Sequence, residues 1–237
     1  MTTAGQDLLL IAIADSAVAE VAAALAERPQ AAVVLHTSGS LDASALAPLH
    51  AGGSAVGSLH PLKAFPHPLP DLGQARGVFF AVDGDPPAKA LAFRLAAAWE
   101  GVAAEVPPEA RSLYHFAATL AAGGVVTLLA LAQEIASRLG LPDTVMGGYL
   151  ELCRGAVAAA AEAHESGAPL GSALTGPAAR GDRATVERHL EGLRALAPEK
   201  LPLVLALARE TLRQREIAGS LSPEQRELLA RLESLEP

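Results

Sequence analysis

The sequence predicts an α/β domain with a mostly parallel sheet over about residues 1–106, followed by an all-helical domain over about 107–237. Three observations carry this prediction. Short apolar runs at 8–13, 32–35, 55–59 and 78–82 are separated by turn- and helix-forming segments, as in βαβ units. The chain changes character at Pro107-Pro108, beyond which nearly every signal is helical. Half of the residues are hydrophobic while only 3% are aromatic, and alanine dominates, which suits helices packed closely through small side chains.

Taken in order, residues 8–13 read as a buried strand, apolar on both faces. Asp15 or Ser16 is placed to cap the next helix, whose Val18, Val21 and Leu25 share a face. A second strand at 32–35 follows. Ser40 is expected to cap a short helix through Leu46 that Pro48 kinks or ends. Strands at 55–59 and 78–82 come next, then a helix opened by Pro86-Pro87 and carrying Leu91, Leu95 and Trp99, then a short strand at 102–106. In the second half, long helices are predicted over 109–139 and 142–164, a loop-rich interlude over 167–181, and helices near 183–196, 199–218 and 223–235. The last begins Ser222-Pro223-Glu224-Gln225, a capping box with proline at the first helical position.

Composition excludes several classes. A net charge of −8, with no basic run, argues against nucleic acid and against an anionic membrane surface. The single cysteine, Cys153, forbids an intrachain disulfide and reads as a buried thiol. The run at 8–13 is too short for a membrane span and lacks the basic flank of a signal peptide. A cytoplasmic location is the expectation. No glycosidase carboxylate pair, G-x-S-x-G elbow or zinc-ligand spacing occurs, so no metal site is predicted.

Two strand ends draw attention. Val33-Val34-Leu35-His36-Thr37-Ser38-Gly39 and Gly57-Ser58-Leu59-His60-Pro61 each break from an apolar run into small hydroxyl residues and a histidine, as open α/β sheets do at a ligand crevice. His60, held by Pro61 and sharing a strand face with Ser58, is a candidate general acid if its pKa lies near the ordinary histidine value. The alternative is a histidine bonded within a tight turn. His36 either lines a pocket or bonds its own loop. Thr37, Ser38 and Gly39 offer hydroxyl and N–H donors to a carboxylate or phosphate, or simply form a helix entry. Lys63 is a weaker candidate for holding an anion, and His67, between two prolines, reads as a loop residue. Tyr114 and His115 lie in the first turns of the long helix, expected to face a crevice between the domains. Arg111, one turn before His115, is placed to pair with a carboxylate. Arg180, in the interlude after Thr175-Gly176, is a candidate anion ligand.

These residues carry a family resemblance. His36-Thr37-Ser38-Gly39, Gly57-Ser58-Leu59-His60-Pro61-Leu62, Leu113-Tyr114-His115 and Ala173-Leu174-Thr175-Gly176-Pro177-Ala178-Ala179-Arg180-Gly181-Asp182 occur in family order over nearly the whole chain. The chain resembles the bacterial family of Rossmann-like proteins with a C-terminal domain of unknown function numbered 2520 (DUF2520). That family is similar to the ketopantoate, pyrroline-5-carboxylate and 6-phosphogluconate type reductases. The resemblance implies a Rossmann-like sheet joined to a 6-phosphogluconate-dehydrogenase-like helical domain that often dimerises. It also implies NAD or NADP as cofactor and hydride transfer to a small oxo-acid or imine. By the same resemblance His60 and His115 would be catalytic. His36, Thr37, Ser38, Ser58, Tyr114 and Arg180 would meet substrate, and Ala14, Asp15 and Gly39 would meet cofactor.

The sequence departs from the family at three places. It contains no G-x-G-x-x-G, and residues 8–13 correspond to the family's fourth strand, so the Rossmann-like sheet reads as truncated. Gly176 and Gly181 have the glycine spacing of a P-loop without its Lys-Ser/Thr. The family's Val-Pro-Asp is here Ile13-Ala14-Asp15, and Ala122-Gly123 stand where a Ser-Asn pair is usual. An apolar first strand without its neighbour is an edge that proteins normally cover. A chain that is a fragment, pairing with another subunit, and an unusual local arrangement are all open. The expectation is an NAD(P)-dependent oxidoreductase acting on a small molecule as a homodimer. The alternative is a dimeric small-molecule-binding or scaffold relative that does not bind dinucleotide.

Overall fold

The computed structural model describes residues 7–28, 31–64 and 76–235; His67 lies outside them. The chain divides into two compact units, Met1–Val125 and Val126–Pro237.

In the first unit, β1 (Leu8–Ile11), α1 (Asp15–Ala26), β2 (Val33–His36), a 3-10 turn (Ala43–Leu46), α2 (Ala47–Ala51), β3 (Ala55–Pro61), β4 (Phe79–Gly84), α3 (Pro86–Ala98), β5 (Val102–Glu105) and α4 (Arg111–Thr119) follow one another. The strands form one sheet in the order β1-β2-β3-β4-β5. β1, β2 and β3 run parallel, as do β4 and β5, but β4 is antiparallel to β3. The mostly parallel α/β sheet expected from the apolar runs is therefore present, with one reversal. A parallel pair needs a crossover, usually a helix, and residues 62–78 carry no helix signal.

The sheet separates two cores. On one face Val33, Leu35, Leu59, Val78, Phe80 and Val82 pack against Ala88, Ala92 and Ala96 of α3. Those three alanines are 0% exposed, so α3 lies close to the sheet through small side chains. Trp99, expected within the helix, is its C-cap residue and packs its ring against Phe80 of the same core. On the other face Ile11, Val34 and Val56 meet Val18 and Ala22 of α1 and Leu46 and Leu49. Gly84 (φ +123°) closes β4 opposite Gly57, where a Cβ on Gly84 would come within 2.4 Å of the Gly57 Cα.

Three local expectations are corrected. Neither Asp15 nor Ser16 caps α1; Ala14 is the N-cap, and Asp15 lies inside the first turn, where its charge suits the helix dipole. Ser40 does not cap the following turn. Asp42, the residue immediately before the turn, does, accepting from the Ser44 N–H, while the Ser40 hydroxyl donates to Asp15. Pro48 neither kinks nor ends a helix but sits in the first turn of α2, where its missing N–H costs nothing.

The predicted long helix over 109–139 is α4, a π-helical turn at Leu120–Gly124 and α5 (Val125–Arg138). The second unit continues with α6 (Val145–Glu165), α7 (Gly176–Arg180), α8 (Arg183–Leu196), α9 (Leu201–Ala218) and α10 (Pro223–Glu233). Its core joins Val186 and Leu190, Leu205 and Leu212, and Leu228 and Leu232. Asp182 caps α8 through the Thr185 N–H, and Ser222 with Gln225 forms the predicted capping box on α10.

Candidate active site at the end of strand β3

The alternation of β2 and β3 sets the site. Val34 and Val56 face the α1 side, so His36, Ser58 and His60, each two residues further on, face it too. The register aligns Ile11, His36, Ser58 and Asp83 across four strands. Three polar side chains thus continue an apolar row inside the protein: His36 and Ser58 are fully buried and Asp83 nearly so. Such a layer is stable only if its members are bonded. The His36 Nδ1 accepts from the Ser38 N–H, which leaves its Nε2 to donate to the Asp42 carbonyl at 3.0 Å. Asp83 accepts from the Ala43 N–H at 3.0 Å. Ser58 accepts from Arg111.

His60 ends this strand face and meets α4. Its Nδ1 lies 3.0 Å from the Tyr114 hydroxyl, and the two rings are edge-to-face with centroids 5.6 Å apart. The His115 ring is likewise edge-on to His60, at 5.8 Å. Gly39 closes the group from the β2 loop: a Cβ there would lie 2.6 Å from both His60 Nε2 and His115 Cδ2. Beside these rings opens a cleft of about 620 Å³, lined by residues 60–64 and by the helix from Tyr114 to Gly123. Its helical wall is Ala117, Ala118, Thr119, Ala121, Ala122 and Gly123, an almost wholly small and apolar surface. The π turn lies in this wall, a place where such turns are frequently found.

Burial, then the neighbouring His115 and the positive Arg111, push the His60 pKa down to about 4. His60 is a neutral imidazole at pH 7, which corrects the expectation of a value near the ordinary one. Burial also lowers His36, against the opposing pull of the Asp42 carbonyl. Burial raises the Tyr114 hydroxyl. Asp15 would be raised by burial, but the Ser40 and Ser38 hydroxyls bring it below the ordinary carboxylate value.

His60, Tyr114, His115, Ser58, His36, Ser38 and Gly39 are thus brought together in the first unit. His36 is enclosed rather than pocket-lining, and Ser58 lies beneath His60. Thr37 is partly buried, its N–H bonded to the Ile11 carbonyl. Ala14 and Asp15 lie at the start of α1, Asp15 tied to Ser40 at 2.5 Å. Arg180 belongs to the second unit, exposed at the end of α7. Among the described residues Arg111 has no carboxylate in contact, and its bond goes to Ser58. Sequence reading overlooked Asp83 and, apart from Ala122-Gly123, the helical wall. Among the described residues no group of three or more His, Cys, Asp or Glu side chains is placed to hold a metal ion.

A five-stranded, mostly parallel sheet with a polar cluster at its strand ends, joined to a helical unit, defines a chain of the Rossmann-like α/β-plus-helical fold class. The chain belongs to the family of the domain of unknown function DUF2520, whose profile matches residues 78–211. Among solved structures it is similar to TM1727 from Thermotoga maritima (TM-score 0.72, 22% identity, 91% of this chain and 82% of that one). It is similar also to BF3122 from Bacteroides fragilis, described provisionally as an NADP oxidoreductase (0.66, 23%, 86% and 74%). A third is the reductive aminase from Aspergillus terreus in complex with NADPH4, cyclohexanone and allyl amine (0.52, 16%, 95% and 78%). No curated protein sequence matches the chain.

Proposed function

We propose that the cleft beside His60 is the active site of an NAD(P)-dependent oxidoreductase that reduces a small oxo-acid or imine. The observation that carries this reading is the convergence of His60, Tyr114 and His115 on one cleft at the end of a strand. The descriptions of BF3122 as an NADP oxidoreductase and of the Aspergillus protein as a reductive aminase support the reaction class.

The described residues suit the reactive end of a nicotinamide cofactor: polar rings on one side, a flat apolar helical wall on the other. They form no cradle for its pyrophosphate. The amides of Thr37, Ser38, Ser40 and Leu41 are all engaged within the fold, and Asp15 sets a negative charge in the first turn of α1. When bound, the cofactor supplies hydride. The chain's own residues hold the acceptor. With the Tyr114 hydroxyl donating to Nδ1, the neutral His60 carries its proton on Nε2 and donates a hydrogen bond from it to the carbonyl oxygen or imine nitrogen as charge develops there, and the proton that completes the reduction comes from water. His115 flanks the same ring, and Thr37 and Ser38 shape the loop that seats Gly39. Lys63, in the cleft lining, is a cation for an acid group on the substrate.

We also read the protein as a cytoplasmic homodimer. Leu113, Phe116 and Leu120 share one helix face and are 73%, 56% and 56% exposed, a row that a second copy would cover. By length and composition the helix Pro108–Arg138 is also apolar enough to cross a membrane.

The engaged loop amides favour a second reading, a small-molecule binder without hydride transfer. Titrating the purified chain with NADPH by calorimetry, then following NADPH oxidation with small 2-oxo-acids and cyclic imines, separates the two. Submillimolar binding and turnover that His60→Gln abolishes are expected. No binding at that concentration would sink the oxidoreductase reading and leave the second.

A further inference from the structure

Arg111 is the largest side chain among those fully buried, 1% exposed. It stands at the start of α4 and reaches into the polar row, where Nη2 donates to the Ser58 hydroxyl. Its Nε and Nη1 have no partner. No ion pair among the described residues includes it: Asp83, across the ladder from Ser58, offsets part of its charge without contacting it and is bonded to the Ala43 N–H. A guanidinium stays charged at any accessible pH, and burying it without a paired carboxylate is expensive. Proteins keep such an arrangement where the charge acts on a neighbour.

The neighbour is His60. Ser58 precedes it by two residues on the same strand face, and Tyr114, which bonds it, follows Arg111 by three on α4. The Arg111–Ser58 and Tyr114–His60 bonds are therefore two successive rungs between α4 and β3. The other groups facing His60 are His115 and Tyr114 from α4, His36 from β2 and Asp15 from α1. Only Asp15 among them opposes the charge of Arg111, and its carboxylate is held by Ser40.

We propose that Arg111 is a positioning residue of the His60 site: its bond to Ser58 fixes the strand end that seats the ring against Tyr114, and its buried charge disfavours a second proton on that ring. The consequence for catalysis rests on reading His60 as the hydrogen-bond donor to the acceptor. The electrostatic effect on His60 does not.

Histidine-labelled NMR titration of the intact chain tests this, with the His60 signal assigned by its loss in His60→Gln. The wild-type signal is expected to titrate at about 4. Arg111→Met keeps the seat apolar and removes the charge, and should raise the midpoint by about one pH unit. Arg111→Lys keeps the charge and should hold it within a few tenths of wild type. The proposal is overturned if Met leaves the midpoint in place, or if Lys raises it as much as Met. A wild-type His60 titrating near 6.5 overturns it without any variant. NADPH turnover is scored separately. The expected titrations without turnover retire the reductase reading and keep the inference; turnover with a flat response to Met does the reverse.

Discussion

The Tyr114 hydroxyl and His60 Nδ1 lie 3.0 Å apart and join α4 to the end of β3. Tyr114→Phe removes this bond while keeping the edge-to-face rings. It should lower stability by about 1 kcal/mol, read from urea unfolding. It should also lower kcat more than KM, because the hydroxyl orients the imidazole rather than binding the acceptor. An unchanged unfolding midpoint together with unchanged kcat would refute the link.

The buried histidines set an acid limit. His36 and His60 both have folded pKa values below the ordinary 6.5, His60 at about 4. Below 6.5 the unfolded chain therefore binds more protons than the folded one, and stability falls with falling pH. The contribution is present in full above 6.5 and is lost as the pH drops towards and through about 4. For His36 the cause is also geometric, since a proton on Nδ1 would face the Ser38 N–H. Urea midpoints should be level between pH 7 and 8 and fall steadily from pH 6 to 4.5. His60→Gln should flatten part of that slope. A midpoint independent of pH over this range would contradict the burial of both rings.

Gly39 is the tightest point of the site. The two rings that a Cβ would strike at 2.6 Å are not free to yield, because Tyr114 holds His60 and Arg111 anchors the helix that carries His115. Gly39→Ala should cost about 1–3 kcal/mol and displace His60, which thermal unfolding and the His60 NMR signal would register together. Wild-type values for both would show that the loop gives way instead.

Much of the fold is legible in the residues, for identifiable reasons. The runs ending at His36 and Leu59 could hardly be anything but buried strands, and α8 announces itself through Asp182 and the Val186, Leu190, Leu193 spacing. The reversed direction of β4 is not written in its own residues, since an apolar strand reads alike either way. It depends on the connection from β3. Ser40 and Asp42 are equally good caps on paper, and the choice follows from the turn starting at Ala43, which leaves Ser40 to bond Asp15, 25 residues away in sequence. At the site, the histidines and Tyr114 stand out because polar groups at strand ends and helix starts are conspicuous. Arg111 is legible as a cation placed to pair with a carboxylate but not as a buried one, because its burial comes from a strand 53 residues upstream. The cleft wall escapes for the opposite reason: Ala117 to Gly123 look like ordinary helix until His60 is set against them.

The exposed row on α4 makes the last prediction. Leu113, Phe116 and Leu120 project from the helical stretch that also lines the cleft, and Phe116 is 56% exposed. If a second copy covers that row, wild-type protein should sediment at twice the 24.2 kDa of one chain. Phe116→Glu places a charge in the middle of the row. In a lone chain it should cost no more than about 0.5 kcal/mol, as surface changes do. In a dimer it buries an unpaired carboxylate at the interface, a penalty of several kcal/mol, enough to shift dissociation by two orders of magnitude or more. Sedimentation equilibrium should therefore show a folded monomer for the variant at concentrations where wild type is dimeric. A wild type that sediments as a monomer at high micromolar concentration, or a variant that stays dimeric, would refute this use of the face.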